Sequence, residues 1–195
     1  ESSDERVLKA ASIALKEKIA KIIIIDSKNV AQKKAKELKI DISKAKIINP
    51  ITFEKTNILA KKLYNLRKKK GITIEEAKKL IYEDNHFAIM LLHEGYADGI
   101  VSGAIHTTAD LIRPALQIIK TKKDTKTASS FFFMITNNKT YLFADCAFVT
   151  NPDSKQLCEI ALSTANSAKE FGITPKVAML SFSTMGSAKD ALVSK

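Results

Sequence analysis

The residues best suited to chemistry lie in one stretch, GIVSGAIHTTADLIRP, between residues 99 and 114. Gly103 permits the dihedral angles of a sharp turn, and Thr107 or Thr108 can cap the helix that follows. Asp110 stands three residues after Thr107, as a capping box requires. Free backbone N–H groups and two hydroxyls would then gather at the carboxyl end of a strand, where open α/β sheets bind ligands. The pattern fits either a phosphate cradle or an ordinary capped strand-to-helix connection.

Arginine, the side chain best suited to bidentate phosphate contact, is rare in this chain. Of the 32 basic residues, only Arg6, Arg67 and Arg113 are arginines. Arg113 follows the threonine turn and is placed to close a phosphate cradle with a charge-assisted fork. Pro114 leaves two forms of the helix open: a helix that starts at the threonines and is kinked at the proline, or a main helix that starts at the proline.

Histidine and cysteine offer further candidates. His106 either holds the turn through a hydrogen bond as a neutral imidazole or contacts phosphate directly. His86 and His93 have no carboxylate arranged as a third ligand, so no metal site is expected. Cys146 and Cys158 have no histidine close in sequence, and we expect them to be reduced thiols in the core rather than nucleophiles.

The net charge of +11 comes mostly from lysines at helical spacing among apolar residues, which is typical of solvated helix faces. A nucleic-acid-binding module is the competing interpretation, but no interleaved aromatic residues or recognisable motif supports it. No apolar run approaches the roughly 20 residues that span a bilayer, and no signal-peptide pattern is present. We therefore expect a cytoplasmic protein that binds neither nucleic acid nor membrane.

Helical and strand-like patterns alternate along the chain, which predicts an α/β fold with an open parallel sheet. The predicted helices span residues 4–20, 28–38, 54–69, 74–82, 86–93 and 154–171, and a further helix follows the threonine turn. The predicted strands span residues 21–26, 46–48, 99–103 and 176–182, with a hairpin around Asn137 and Asn138. Asp145 and Asp153 are interpreted as a turn residue and a helix cap. A polar stretch over residues 120–128 indicates a domain boundary or a long surface turn.

Several motifs together resemble the phosphate acetyltransferase family, in the order in which that family carries them. The motifs are ESSDERVLKAA, LRKKKGITIEEAKKL, ADGIVSGAIHTTADLIRPALQIIKTK, YLFADCAFVTNPD, IALSTANSAKEFGITPKVAMLSFST and MGSAK. The element SGAIHTTADLIRPALQIIKT is highly specific to this family and its acyl-phosphate relatives. The related phosphate butyryltransferases carry weaker forms of the same motifs and are the nearest alternative.

The resemblance implies a three-layer α/β/α open sheet of the isocitrate/isopropylmalate dehydrogenase-like class. It also implies two domains that face each other across a cleft, and a homodimer. Residues 1–124 would form the first domain, with the phosphate-site turn, and residues 125–195 would begin the second. The family also has a first strand ahead of this segment and a C-terminal part that carries a Ser-Arg-Gly motif and an aspartate thought to act as base. We expect the 195 residues to be a fragment that is inactive alone.

The same resemblance assigns site residues. Arg113 matches the family's substrate-binding arginine and takes the catalytic role, and Arg67 matches a second arginine that reaches the same cleft. From the residues alone, Arg67 also fits the basic end of an ordinary helix. The other matched positions are substrate-binding residues of the cleft: Ser102, Gly103, His106, Thr107 and Thr108 in the first domain, and Ser183 and Thr184 in the second.

The implied activity is direct transfer of an acetyl group between coenzyme A and inorganic phosphate, which gives acetyl phosphate. Coenzyme A and acetyl-coenzyme A are then substrates, and no cofactor is expected to be bound permanently. The arginines and backbone N–H groups would hold phosphate and stabilise the oxyanion of the tetrahedral transition state. Two alternatives stay open: a butyryl-specific enzyme of the same kind, and a non-catalytic regulatory or anion-binding domain derived from the fold.

Overall fold

Residues 1–123 and 125–180, which are the residues that the computed structural model describes, contain both helices and strands. The helices are α1 (Glu5–Lys16), α2 (Ala31–Glu37), α3 (Thr56–Arg67), α4 (Ile74–Leu80), α5 (Asp84–His93), α6 (Thr108–Ile118) and α7 (Ser154–Glu170). The strands are β1 (Ile23–Ile25), β2 (Lys46–Ile48), β3 (Phe131–Thr136) and β4 (Lys139–Ala144). A short 3₁₀ helix, Lys68–Lys70, continues α3. The fold is therefore mixed α/β, as predicted, although α3, α4, α5 and α6 follow one another with no strand between them in the described residues.

The chain divides into two units, Glu1–Lys120 and a second unit that begins at Thr121. In the first unit β1 and β2 pair in parallel, with Ile24 opposite Ile47. Ile24 belongs to a core with α1 and α2, whereas Ile23 and Ile25 pack against a second core on the other face. Both faces of β1 are covered, which explains why its sequence is apolar at every position.

The second core of the first unit is the larger one, and it carries the helices that position the candidate site. Phe87 of α5 is fully buried at its centre, and Phe53 meets its ring edge-on at 5.7 Å. Leu59 and Leu63 of α3 and Ile118 of α6 are buried in the same cluster. Helices α3, α5 and α6 therefore share one apolar interior, and α6 cannot shift without disturbing it.

The second unit is built on a β-hairpin and a helix. Strands β3 and β4 pair antiparallel, and the two residues between them, Asn137 and Asn138, both have positive φ angles of 46° and 62°. Two such residues are what a tight hairpin turn needs, and asparagine tolerates them well. Phe171, directly after α7, meets the ring of Phe133 on β3 at 4.8 Å. The predicted hairpin is confirmed.

The strand expected at residues 99–103 is absent. Residues 99–102 have no regular structure, and the Val101 side chain is completely exposed. The N–H group of Gly103 bonds to a side chain rather than to a neighbouring strand, and an extended segment without a ladder partner is not a strand. The strand expected at residues 176–182 is also absent over residues 176–180, and its last two residues lie outside the described residues.

The cores predict a clear contrast within helix α3. Leu63 is 1% exposed and Ile58 is 52% exposed, so truncation to alanine should leave a cavity only at Leu63. We expect Leu63→Ala in the full-length protein to lower the free energy of unfolding by about 2–5 kcal/mol, and Ile58→Ala by less than about 1 kcal/mol. Chemical denaturation of both variants measures this. Equal losses would contradict the assignment of α3 to the core.

Candidate functional site

The turn between residues 103 and 106 holds a carboxylate. Backbone N–H groups of four consecutive residues, Gly103, Ala104, Ile105 and His106, donate to the two oxygens of the Glu1 side chain at 3.0–3.1 Å. The Nδ1 atom of His106 lies 3.0 Å from the same carboxylate. Successive N–H groups that point into one concavity form an anion-binding nest. The turn is thus an anion cradle, and the anion it holds belongs to the same chain.

Two features of the sequence allow this nest to form. Gly103 has a φ angle of +112°, a region that side-chain-bearing residues rarely adopt. An added Cβ atom would meet no neighbouring atom there, so the need for glycine is a matter of backbone conformation rather than space. The carboxylate is enclosed as well, because the Glu1 side chain is only 5% exposed. We name this arrangement, Glu1 with the N–H groups of residues 103–106, the Glu1 nest.

The Glu1 nest keeps its carboxylate ionised. Burial alone would raise the pKa of Glu1, but the hydrogen bonds from Ile105, Ala104 and His106 outweigh it and lower that pKa to about 2. Hydrogen bonds to the charged form always act in this direction. Glu1 therefore carries its negative charge throughout the neutral pH range.

Arg6 ties the start of α1 to the same turn. Its guanidinium makes a two-atom contact with the Asp4 carboxylate and also donates to the carbonyl of Ala104 at 2.7 Å. The Arg6 hydrogen bond lowers the pKa of Asp4 to about 2. Asp4 in turn caps α1 by accepting the N–H groups of Arg6 and Val7. Of the three arginines, Arg6 thus shapes the turn rather than facing a ligand.

Helix α6 starts directly after the Glu1 nest. Thr107 and Asp110 form the predicted capping box, in which each side chain accepts the other residue's backbone N–H group. The Thr107 hydroxyl also donates to the Asp110 carboxylate at 2.7 Å, which lowers the pKa of Asp110. Both polar groups of Thr107 are therefore engaged within the helix cap. Thr108, the first helical residue, is exposed.

Pro114 lies inside α6, so the helix starts at the threonines rather than at the proline. A proline cannot donate to the carbonyl four residues earlier, which here belongs to Asp110. The side chain of Asn85 supplies the missing donor at 3.3 Å, and its oxygen accepts the Ser102 hydroxyl at 3.0 Å. Asn85 is 7% exposed, so this buried amide connects Ser102, just before the nest, with Asp110, just after it.

Beside the nest, a cleft of about 670 Å³ opens between the first residues of the chain, α5 and α6. Arg113 and Lys28 are its cationic side chains among the described residues, and its carboxylates are Glu1, Glu83, Asp84 and Asp110. Glu1 is held by the nest and Asp110 by the helix cap. Arg113 is exposed and its side chain makes no hydrogen bond or ion pair with another described residue, although its charge helps to lower the pKa of Asp110. Its guanidinium is therefore the charged donor best placed to meet an anion in the cleft.

A buried histidine also lines this cleft. His86 on α5 is 8% exposed, and its Nδ1 atom lies 2.8 Å from the Glu83 carboxylate. Burial lowers the pKa of His86, although the neighbouring Glu83 opposes this effect. The imidazole is consequently neutral at neutral pH. The Oδ1 atom of Asp84, at the start of the same helix, is buried without a hydrogen-bond partner among the described residues.

The structure brings part of the predicted site together. His106 and Arg113 line one cleft. Gly103 and Thr107 belong to the turn beside it, and Ser102 donates a hydrogen bond to Asn85, which lines it. Arg67 and Thr108 are not among the described residues that line this cleft. Arg67 is the last residue of α3 and is half-buried. Ser183 and Thr184 lie outside the described residues. The substrate roles of all these positions stay predictions.

Glu1, Arg6 and Asn85 are the residues that sequence reasoning missed. Glu1 and Asn85 stand in no local motif with the turn, and the nest joins positions about a hundred residues apart. Arg6 offered one signal, as one of three arginines in the chain. Its partner on the turn is the backbone carbonyl of Ala104, which cannot be identified from residue types.

The two cysteines are free thiols, but neither lies in the core. Cys146 is half-buried and donates to the Ser130 hydroxyl, and Cys158 is exposed. The prediction failed because β4 ends at Ala144, before Cys146. Cys158 lies about 200° around α7 from the buried Ile160, at 100° per residue.

Asp145 and Asp153 are a turn residue and a helix cap, as predicted. The Asp145 carboxylate accepts the Ser130 hydroxyl and three backbone N–H groups of the turn after β4. Burial would raise the pKa of Asp145, but these bonds lower it to about 2. Asp153 forms a capping box with Gln156 at the start of α7. In the part of the chain that the structure describes, no helix has the length and hydropathy to cross a membrane.

The sequence of this chain is similar to that of known proteins. A family model described as phosphate acetyl/butaryl transferase matches residues 1–195. The phosphate acetyltransferase of Clostridium acetobutylicum is 48% identical over 202 aligned residues, which cover 100% of this chain and 61% of that protein. The phosphate acetyltransferase of Bacillus subtilis is 49% identical over 97% of this chain and 58% of its own length.

Solved structures agree with the sequence relatives. The EutD phosphotransacetylase from Staphylococcus aureus superposes with a TM-score of 0.87 at 46% identity, over 98% of this chain and 58% of that one. A phosphotransacetylase from Streptococcus pyogenes superposes with a TM-score of 0.89 at 42% identity. The chain thus spans about three-fifths of the length of the proteins it matches.

The Glu1 nest predicts a pH-dependent contribution to stability. The pKa of Glu1 falls from 4.5 to about 2 on folding, so its stabilisation is complete above about pH 4.5 and is lost as the pH falls toward 2. We expect Glu1→Gln in the full-length protein to lower the free energy of unfolding by about 2 kcal/mol at pH 7. This difference should shrink steadily below pH 4.5, in denaturant titrations at several pH values.

Glu5→Gln is the matched control for that titration. Glu5 is the next glutamate in the chain, is 61% exposed, and pairs only with Lys9 at 3.6 Å among the described residues. Its replacement should change stability by less than about 0.5 kcal/mol at every pH. A Glu1→Gln penalty that is the same at pH 7 and pH 3 would show that the carboxylate is not held in its ionised form.

Proposed function

Because this chain belongs to the phosphate acetyl/butaryl transferase family, we propose that the full-length protein transfers an acetyl group between coenzyme A and inorganic phosphate. The relatives named above are phosphate acetyltransferases, which favours acetyl over butyryl as the transferred group. The observation within the chain that supports this activity is the position of Arg113 in the cleft beside the Glu1 nest. Among the described residues no carboxylate forms an ion pair with that guanidinium, so its N–H groups are available to a phosphate ligand.

Arg113 is proposed to hold the phosphate group. Its planar fork matches two phosphate oxygens, which a lysine ammonium cannot do. It lies one helical turn beyond Asp110, whose charge is engaged by Thr107, so the fork stays available to a ligand. His106 lines the same cleft, next to the proposed phosphate position.

The chemistry needs groups beyond those that line the cleft among the described residues. Attack of a thiol on acetyl phosphate forms a carbon–sulfur bond and breaks the bond between the acyl carbon and the phosphate oxygen, and the thiol must lose its proton. Two cations and four carboxylates line the cleft among the described residues, which is a poor balance for two anionic substrates. We propose that the rest of the full-length protein contributes further cationic groups and the base that accepts the thiol proton.

The finer architecture belongs to the same proposal. We propose that the full-length protein forms two α/β domains of the isocitrate/isopropylmalate dehydrogenase-like class, with the substrates in the cleft between them, and that it assembles as a homodimer. The parallel β1–β2 pair with helices on both faces supports such a three-layer first domain. A cytoplasmic location is proposed on the same grounds, since coenzyme A and phosphate are its substrates.

The role of Arg113 gives a quantitative test in the full-length protein. We expect Arg113→Lys to lose about 2–4 kcal/mol of transition-state stabilisation, because the ammonium cannot make the bidentate contact. The loss appears as a lower kcat/KM for acetyl-coenzyme A formation from acetyl phosphate. Steady-state assays with acetyl phosphate and coenzyme A measure it. Lys36→Arg, an exposed change on α2, is the control and should leave the rate unchanged.

Two outcomes would decide against the proposal. Wild-type rates in Arg113→Lys would remove the arginine from the reaction, while absence of any acetyl transfer by the wild-type full-length protein would refute the activity itself. Comparison of acetyl phosphate with butyryl phosphate as donors in the same assay tests the acyl group. Faster turnover of the butyryl donor would make the butyryl alternative the better description.

A further inference from the structure

We propose that Glu1 is a positioning residue: its carboxylate, rather than substrate phosphate, occupies the N–H groups of residues 103–106, and it fixes the start of α6 so that Arg113 faces the cleft. This inference rests on the proposed function, because Arg113 is the phosphate ligand there. The sequence leaves open whether the turn binds phosphate directly, whereas the structure gives its donors to a carboxylate of the same chain.

The hydrogen bonds leave little room for a second anion in the nest. One Glu1 oxygen accepts the N–H groups of Gly103, Ile105 and His106, and the other accepts those of Gly103 and Ala104. Each of the four donors is therefore engaged. A phosphate group could use them only by displacing an ionised carboxylate that is itself almost fully enclosed, and uncovering that charge without a partner is costly.

The nest is connected to Arg113 through a short rigid path. His106, the last residue of the nest, is followed by Thr107, which caps α6. Arg113 lies on that helix six residues beyond the cap. Pro114, the next residue, is fully buried, so the helix cannot rotate freely around its own axis. A change in the path of residues 103–106 is therefore passed to the first two turns of α6.

Other contacts hold the same helix start but do not replace Glu1. Arg6 binds the Ala104 carbonyl, and Asn85 binds Ser102 and the Asp110 carbonyl. The Arg6 and Asn85 side chains therefore form hydrogen bonds with carbonyl and hydroxyl groups, and neither pairs with the four N–H donors of the nest. Without Glu1, those donors would turn toward water or toward another anion, and the turn would relax. A displacement of about 1 Å at a substrate-positioning group is enough to slow an enzyme by roughly a hundredfold.

Kinetics of the full-length protein separate this positioning role from a purely structural contact and from a nest that binds phosphate itself. The variants are Glu1→Gln, which replaces one acceptor oxygen by a donor, and Glu1→Asp, which keeps the charge but withdraws it by one methylene group. We expect Glu1→Gln to lower kcat at least roughly tenfold, with a KM for inorganic phosphate that is unchanged or raised, because Arg113 is the phosphate ligand that loses its position. Glu1→Asp should be intermediate, and it carries the test if Glu1→Gln does not fold. Glu5→Gln is the control, with wild-type values.

Amide hydrogen exchange supplies a readout that does not depend on activity. In Glu1→Gln the amides of residues 103–106 should exchange at least roughly tenfold faster, while those of α5 keep their wild-type protection. Faster exchange throughout the first unit would instead indicate general destabilisation and overturn a specific positioning role.

The kinetic outcomes are distinct. A kcat within twofold of wild type in both Glu1 variants would overturn the inference and leave Glu1 a purely structural contact. A several-fold lower KM for phosphate in Glu1→Gln would also overturn it, since the nest would then be the phosphate site with Glu1 as its competitor. An inactive wild-type protein would refute the proposed function, and faster exchange confined to residues 103–106 would still support the role of Glu1 in the turn.

Discussion

Four consecutive backbone N–H groups that point into one concavity need an anion, and in this protein the Glu1 carboxylate supplies it. Water could satisfy these donors only loosely, whereas a carboxylate fixes all of them at once. The order of the turn, the start of α6 and the direction of Arg113 all follow from that contact. Gly103 makes the turn possible, and Glu1 selects the one conformation that the chain adopts.

Several of the charged groups around the cleft are already engaged in contacts within the chain. Glu1 and Asp110 are carboxylates, yet the first is held by the nest and the second by the helix cap. His86 is buried beside Glu83 and has a lowered pKa. Arg113 is the cation that stays available on α6. A chain with three arginines among 32 basic residues thus uses one to bind the turn and leaves another for a ligand.

Local patterns predicted much of this arrangement, because their physical causes are local. The capping box of Thr107 and Asp110, the hairpin turn at Asn137 and Asn138, and the helix cap at Asp153 each depend on a few neighbouring residues, and each is observed as expected. The contacts of Glu1 and Asn85 join distant parts of the chain, and no spacing rule reveals them. The expected strand at residues 99–103 failed for the same reason: an apolar pair between glycines shows a preference but not whether a partner strand is present.

The crystal structure of the full-length protein with bound inorganic phosphate tests the central claim most directly, because it shows which anion occupies the turn. The account predicts that the Glu1 carboxylate stays within hydrogen-bond distance of the N–H groups of residues 103–106, with phosphate outside the nest against the Arg113 guanidinium. Phosphate bound to those N–H groups, with the Glu1 side chain displaced, would contradict it.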